Sequence, residues 1–295
     1  EIETYYKDYL GALEQFRQVS VLSRESYFEA VSALEELLVN IREKTPTSLI
    51  RLGDGEGNFL PYREELQEFA ALDQRKIQHI WWGDELITGD CLSKLCLRFL
   101  QVIDNADVLG VPPPWRLIKE NFSGGDFNTT EQYTRGNMAI TELLLSGSVS
   151  TDKSLVSSAV SNDWYRWNLY DAIFRMTDTV SYISCHDLDV YLSQRYDLRV
   201  NQSFLIPAEH AYREMISAHA HPAIGGSGEP EVLNRIFPEL FNEISGKISP
   251  LPGEVYLVAA GFLGKFFCDL VKRRGGIGID IGSTADYWLG LETRR

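Results

Sequence analysis

From residue 47 onward, short apolar runs alternate with longer helical patterns, and that alternation restricts the fold more than any other feature. The runs occupy 48–52, 107–111, 154–160, 179–184, 202–207, 254–259 and 276–281. Each is too short for a core helix and long enough for a buried strand. Helix signals lie between most of them. Ser161-Asn162-Asp163 can cap a helix whose apolar face includes Trp167, Tyr170, Ile173 and Phe174. Asp187 or Asp189 can start another that runs through Tyr191, Leu192 and Tyr196. Strands that alternate with helices pair in parallel, because each return to the sheet needs a crossover. The expected class is α/β, with a mostly parallel sheet flanked by helices.

Residues 1–46 read differently, as an N-terminal helical extension. Tyr5, Leu10, Leu13 and Phe16 mark one apolar stripe, and Phe28, Val31, Leu34, Leu37 and Leu38 mark a second. Residues 47–295 then form one Rossmann-like domain, since no linker or composition shift divides them. A chain of 295 residues that is 44% hydrophobic can build its core without cross-links. Cys91, Cys96, Cys185 and Cys268 form no C-x-x-C pair. They read as buried free thiols in a reducing compartment, and their spacing argues against a zinc site. No run of about 18 uncharged apolar residues occurs, so no transmembrane segment is expected. With no basic-then-apolar leader either, the expected location is cytoplasmic, including the inner face of the membrane. The chain begins Glu1-Ile2-Glu3 rather than with Met, which leaves room for a larger polypeptide or assembly around it.

A net charge of −14 excludes a nucleic-acid partner, which needs a basic face to neutralise phosphates. An acidic protein can still hold a diphosphate when a divalent cation sits between its carboxylates and the phosphate oxygens. The segment Arg51-Leu52-Gly53-Asp54-Gly55-Glu56-Gly57 offers such a place. It follows a strand, and loops at the carboxyl ends of parallel strands are where α/β folds bind ligands. Its glycines permit sharp turns and close approach to a ligand. In an extended or turn conformation, Asp54 and Glu56 can point to the same side. Two hard oxygen donors so placed suit Mg²⁺ or Mn²⁺. Gly53, Gly55 and Gly57 also match the loop of a methyltransferase that binds S-adenosylmethionine. Arg51 stands where such a loop carries an acid, and the interleaved carboxylates would repel that ligand's own. Turn formation alone also explains Gly and Asp here.

A second β–α–β unit begins at 255–259. Gly261 to Gly264 opens its helix with backbone N–H groups suited to an anion, and Lys265 either assists there or is solvated. Asp280 ends the last strand, followed by Ser283, Thr284 and Asp286 on the same sheet edge; Asp280 can equally be a satisfied buried acid. Two strand ends place a His beside an acid. These are Cys185-His186-Asp187 and Glu209-His210, so His186, His210 and Glu209 are candidates for a catalytic base. His219 and His221, two residues apart, form a conceivable metal pair. Trp81-Trp82 and Pro112-Pro113-Pro114-Trp115-Arg116 offer ring faces for a sugar or base and a guanidinium for phosphate, although core packing explains Trp81 and Trp82 as well.

The loop Arg51-x-Gly53-Asp54-Gly55-Glu56 and the late β–α–β ending Asp280-Ile281-Gly282-Ser283 resemble the GT-D type of bacterial glycosyltransferases. The likeness spans about residues 47–290. It implies a Rossmann-like domain in which Asp54 and Glu56 coordinate the metal and the diphosphate of a nucleotide-sugar donor. Arg51, Gly53, Gly55, Gly261, Lys265, Asp280 and Ser283 fall around that donor. The acceptor implied is a glycan, as in a surface polysaccharide or glycoprotein. Ser283 stands where the family pattern often has His. Two rival readings are a non-catalytic nucleotide- or carbohydrate-binding module and the methyltransferase above.

Overall fold

The computed structural model describes residues 2–15, 26–113, 132–213, 236–291 and 293. The seven apolar runs are seven strands: β1 (Thr47–Arg51), β2 (Val108–Val111), β3 (Ser154–Ser157), β4 (Thr179–Ser184), β5 (Arg199–Leu205), β6 (Val255–Ala259) and β7 (Ile277–Asp280). They form one sheet in the order β3-β2-β1-β7-β6-β4-β5. The β1–β2, β2–β3, β4–β5, β4–β6 and β6–β7 pairings are parallel. β2 is buried throughout, and β1 and β6 except at their last residue. A strand covered on both faces has no reason to alternate polar and apolar residues. β5 does alternate exposed and half-buried residues, as a strand at the sheet's edge should.

The helices are α1 (Ile2–Glu14), α2 (Ser26–Glu43), α3 (Asp54–Gly57), α4 (Gln67–Trp82), α5 (Gly89–Asn105), α6 (Gln132–Leu145), α7 (Val160–Arg166), α8 (Tyr170–Phe174), α9 (Asp189–Tyr196), α10 (Phe241–Lys247), α11 (Gly261–Arg273) and α12 (Thr284–Trp288). The fold is α/β, with N-terminal helices preceding β1. Leu13, Leu34 and Leu37 of the expected stripes are buried. The side chains of Tyr5, Phe16 and Phe28 lie outside the described residues, as do Pro114, Trp115, Arg116, His219 and His221.

One expected helix is two. The run 154–160 stops being a strand at Ser157, and α7 opens at Val160, before the residues expected to cap it. Trp164 gives the reason: it is fully buried, and its indole N–H donates to the Ala30 carbonyl at 2.7 Å. Asn168 then takes a left-handed conformation (φ 55°) and separates α7 from α8. Asn tolerates that region better than most residues do.

The chain forms two compact units: 1–35 with 49–77 and 88–164, and 36–48 with 78–87 and 165–295. In the first, α3 lies against α6. In the second, α11 lies on β6 and β7, and a buried acid at the mouth of β6 gathers its neighbours. Glu254 accepts from the Ser181 hydroxyl of β4 (2.6 Å), the Asn201 amide of β5 (3.1 Å) and the Leu251 N–H (2.7 Å).

Candidate functional site

In the first unit, β1 leaves the sheet at Leu52, whose N–H still donates to Gly110 of β2 at 2.7 Å. Gly53 is extended, and Asp54–Gly57 then makes a single helical turn, α3. An extended loop would have set Asp54 and Glu56 side by side. A helical turn separates their Cβ directions by about 200°. The carboxylates meet the same end of the turn by another route. Glu56 reaches back to accept from the Gly53 N–H at 3.0 Å, one half of a capping box. Asp54 accepts from the Gly55 N–H at 2.9 Å. Each acid thus satisfies an N–H group that the start of a helix leaves without an internal partner.

The turn is held from below by polar groups with no access to solvent. The Asn58 amide donates to the carbonyls of Asp54 (2.9 Å) and Gly55 (3.2 Å). Its Oδ1 lies 2.5 Å from the Tyr62 hydroxyl, which is also 3.2 Å from Asp73. Burial, with the Asp73 charge adding, pushes the Tyr62 pKa well above the usual phenol range and keeps the hydroxyl a donor. Asp73 is clasped by Arg135 through Nε (2.5 Å) and Nη2 (2.7 Å), and both side chains are almost fully buried. Backbone contact completes the clamp. A Cβ at Gly57 would stand 2.0 Å from the Gly136 carbonyl oxygen, and one at Gly136 would stand 2.1 Å from that of Asp54.

Arg51, expected near phosphate, donates from Nη1 to the Ser158 carbonyl at 3.1 Å and ties β1 to the turn after β3. Among these residues Asp54 and Glu56 are the candidate metal donors the sequence singles out, and carboxylate oxygens are of a donor type that fits Mg²⁺ or Mn²⁺. Mg²⁺ and Mn²⁺ take one or two carboxylates from a protein and complete an octahedral shell with phosphate oxygens and water. Nothing in the sequence marks the Asp73–Arg135 pair, whose members stand 62 residues apart.

In the second unit the expected anion site is altered by the chain itself. Gly261 opens α11 with φ 51°, a conformation that favours glycine. The position a Cβ would take there is 3.2 Å from a carboxylate oxygen of Glu209, so the protein's own acid lies against the start of this helix. Lys265 and Asp280, expected on the donor side, are each other's partners at 3.1 Å, both nearly fully buried. Lys265 is therefore not solvated, and it also donates to the Gly261 carbonyl at 3.0 Å. Ser283 is half-buried on the turn before α12, its carbonyl accepting from the Asp286 N–H at 3.1 Å. His210 is exposed and packs on His79, ring centroids 5.5 Å apart, rather than joining Glu209 in a dyad. Trp81 and Trp82 are buried at the end of α4, where Trp81 stacks on Phe262 at 5.6 Å. Both pack in the core.

His186 has a carboxylate partner, but not the adjacent one. Asp187 accepts from the Tyr182 hydroxyl (3.0 Å) and the Asp189 N–H (2.9 Å) at the start of α9. The His186 ring instead meets Asp286 of α12, with Nε2 and Oδ1 2.7 Å apart. Asp286 also accepts from the Thr293 hydroxyl. Cys185 stands beside them. Burial, aided by the charges of Asp286 and Glu209, pushes its thiol up to about 12. It is a thiol at neutral pH and not an activated nucleophile.

No family model matches the chain, and no curated protein matches it. A solved structure described as "Selenomethionine substituted structure of domain of unknown function 1792 (DUF1792)" aligns over 88% of this chain and 81% of its own. The identity is 13% and the TM-score 0.46, a likeness too slight to carry a conclusion.

Proposed function

We propose that the chain is a metal-dependent glycosyltransferase that moves a sugar from a nucleotide-diphosphate donor to a glycan hydroxyl. The observation that supports this most is the acidic turn after β1. Two carboxylates are gathered at one end of it, and a buried network fixes its backbone. A buried ion pair does little for net stability against an apolar substitute, yet it fixes geometry when every partner is satisfied. Asp54 and Glu56 would hold Mg²⁺ or Mn²⁺. Bound there, the ion offsets charge on the diphosphate as it leaves. The bond from the anomeric carbon to the diphosphate breaks, and its electron pair departs with the phosphate. The acceptor oxygen forms the new bond and releases its proton to a base. pH–rate profiles of Glu209→Gln and His210→Gln test the two candidates for that base that are not buried.

The methyltransferase alternative suits the turn less well, because Glu56 and Asp54 occupy the Gly53 and Gly55 N–H groups that a cofactor carboxylate would need. The glycan acceptor follows from the resemblance of the acidic loop and the late β–α–β unit. We place the reaction in the cytoplasm or at the inner face of the membrane. Among the described residues no helix is long and apolar enough to cross a bilayer.

A thermal-shift panel of nucleotide-sugars with and without Mn²⁺ tests the reading. Stabilisation should require donor and metal together and should disappear in Asp54→Asn with the fold intact. No response to any nucleotide, or a response indifferent to metal, would overturn it. Donor binding without turnover, with any acceptor or with water, would favour a binding module instead.

A further inference from the structure

Just past β4, and independent of the acidic turn, lies a set of donors of another kind. One ligand atom each from Cys185, His186 and Asp286 lies within 4.8 Å of the other two. They comprise a sulfur, an imidazole nitrogen and a carboxylate oxygen. His186 is fully buried, and its Nδ1 has no hydrogen-bond partner among the described residues. A buried polar nitrogen left so costs about 1–3 kcal/mol, so core hydrogen bonding alone does not account for this ring.

The other ring nitrogen, Nε2, faces the Asp286 carboxylate, which also accepts from the Thr293 hydroxyl, so an ion would take the place of the proton between Nε2 and that carboxylate. The backbone is fixed too, since the His186 N–H donates to the Ser184 hydroxyl at 3.0 Å.

We propose that Cys185, His186 and Asp286 form a site for a borderline-soft divalent ion of the Zn²⁺ class. The donor set selects against Mg²⁺ and Mn²⁺, which prefer oxygen throughout. Three protein ligands leave one tetrahedral position for water or a substrate atom. The short His186–Asp286 hydrogen bond opens slightly as both groups turn to the ion. The ion also ties α12 to the end of β4 across a hundred residues of chain. Cysteine spacing gave no hint of this, because only Cys185 among the four thiols takes part and the third ligand comes from α12.

Cobalt(II) tests the proposal, since thiolate ligation gives it a charge-transfer absorption that oxygen ligation does not. The whole chain, freed of metal with a chelator, is titrated with Co²⁺ alone and then with Zn²⁺ as competitor. The expected result is a charge-transfer band that saturates at one ion per chain and is erased by Zn²⁺. It should be lost in Cys185→Ser and kept in Cys91→Ser, Cys96→Ser and Asp54→Asn. Zn²⁺ should also raise the melting temperature of the parent protein and not of Cys185→Ser. Absence of the band, its persistence in Cys185→Ser, or its loss in Asp54→Asn would each overturn the proposal. None of those outcomes bears on donor binding at the acidic turn.

Discussion

A methyl group at Gly57 would stand 2.0 Å from a backbone oxygen of α6, and backbone cannot swing aside as a side chain can. Gly57→Ala should therefore cost at least the ~1–3 kcal/mol typical of overpacking, read as a lower urea midpoint. Gly246, in α10, has no atom within 4 Å of its missing Cβ. Gly246→Ala should stabilise by about 0.5–1 kcal/mol in the same measurement, through the entropy of the unfolded chain. The two glycines look alike in sequence, and only the path of a segment eighty residues away separates them. Asp54 and Glu56 were legible as an acidic pair, since their neighbours Gly53 and Gly55 signal a turn. That the turn is helical was not legible, because it depends on Glu56 reaching back to the Gly53 N–H.

At the scale of elements, the clamp beneath α3 makes a sharper prediction. Arg135→Met or Asp73→Leu alone leaves a buried group without its partner and should cost about 3–5 kcal/mol. The double variant Asp73→Leu with Arg135→Met should cost much less than the sum, as a double-mutant cycle by urea denaturation would register. If α3 is the metal-bearing turn, the double variant should also need more Mn²⁺ for half-maximal donor stabilisation. Most strands were readable because each is a short apolar run between turn residues; β5 is not one, and it begins three residues before its expected run at 202–207. α7 and α8 read as one helix in the sequence, since the Trp164 bond to Ala30 and the left-handed Asn168 are tertiary choices. The Lys265–Asp280 pair was half visible: Asp280 could be read as a buried acid, but no pattern assigned it to a lysine one helix earlier.

At the scale of the molecule, burial moves the cysteine and tyrosine pKa values upward at Tyr62, Cys96, Tyr182, Cys185, Tyr191 and Tyr256 among the described residues. Burial pushes Cys185 from an ordinary 9.0 to about 12, Cys96 from 9.0 to about 11 and Tyr256 from 10.0 to about 12. The folded state therefore keeps protons that the unfolded chain gives up. Their contribution is complete below about pH 9 and is lost as pH rises toward 12. Unfolding midpoints measured across that window should fall steadily, and Cys185→Ser should flatten part of the slope.

The contact between Gly57 and Gly136 carries a consequence for how this protein could change. With no side chain between the two backbones, no exchange at Gly57 or Gly136 can shift the backbone of the turn by a fraction of an ångström. Only a displacement of α6 can do that. Selection for a different backbone position of the turn should then enrich substitutions along Gln132–Leu145 and leave Gly57 untouched.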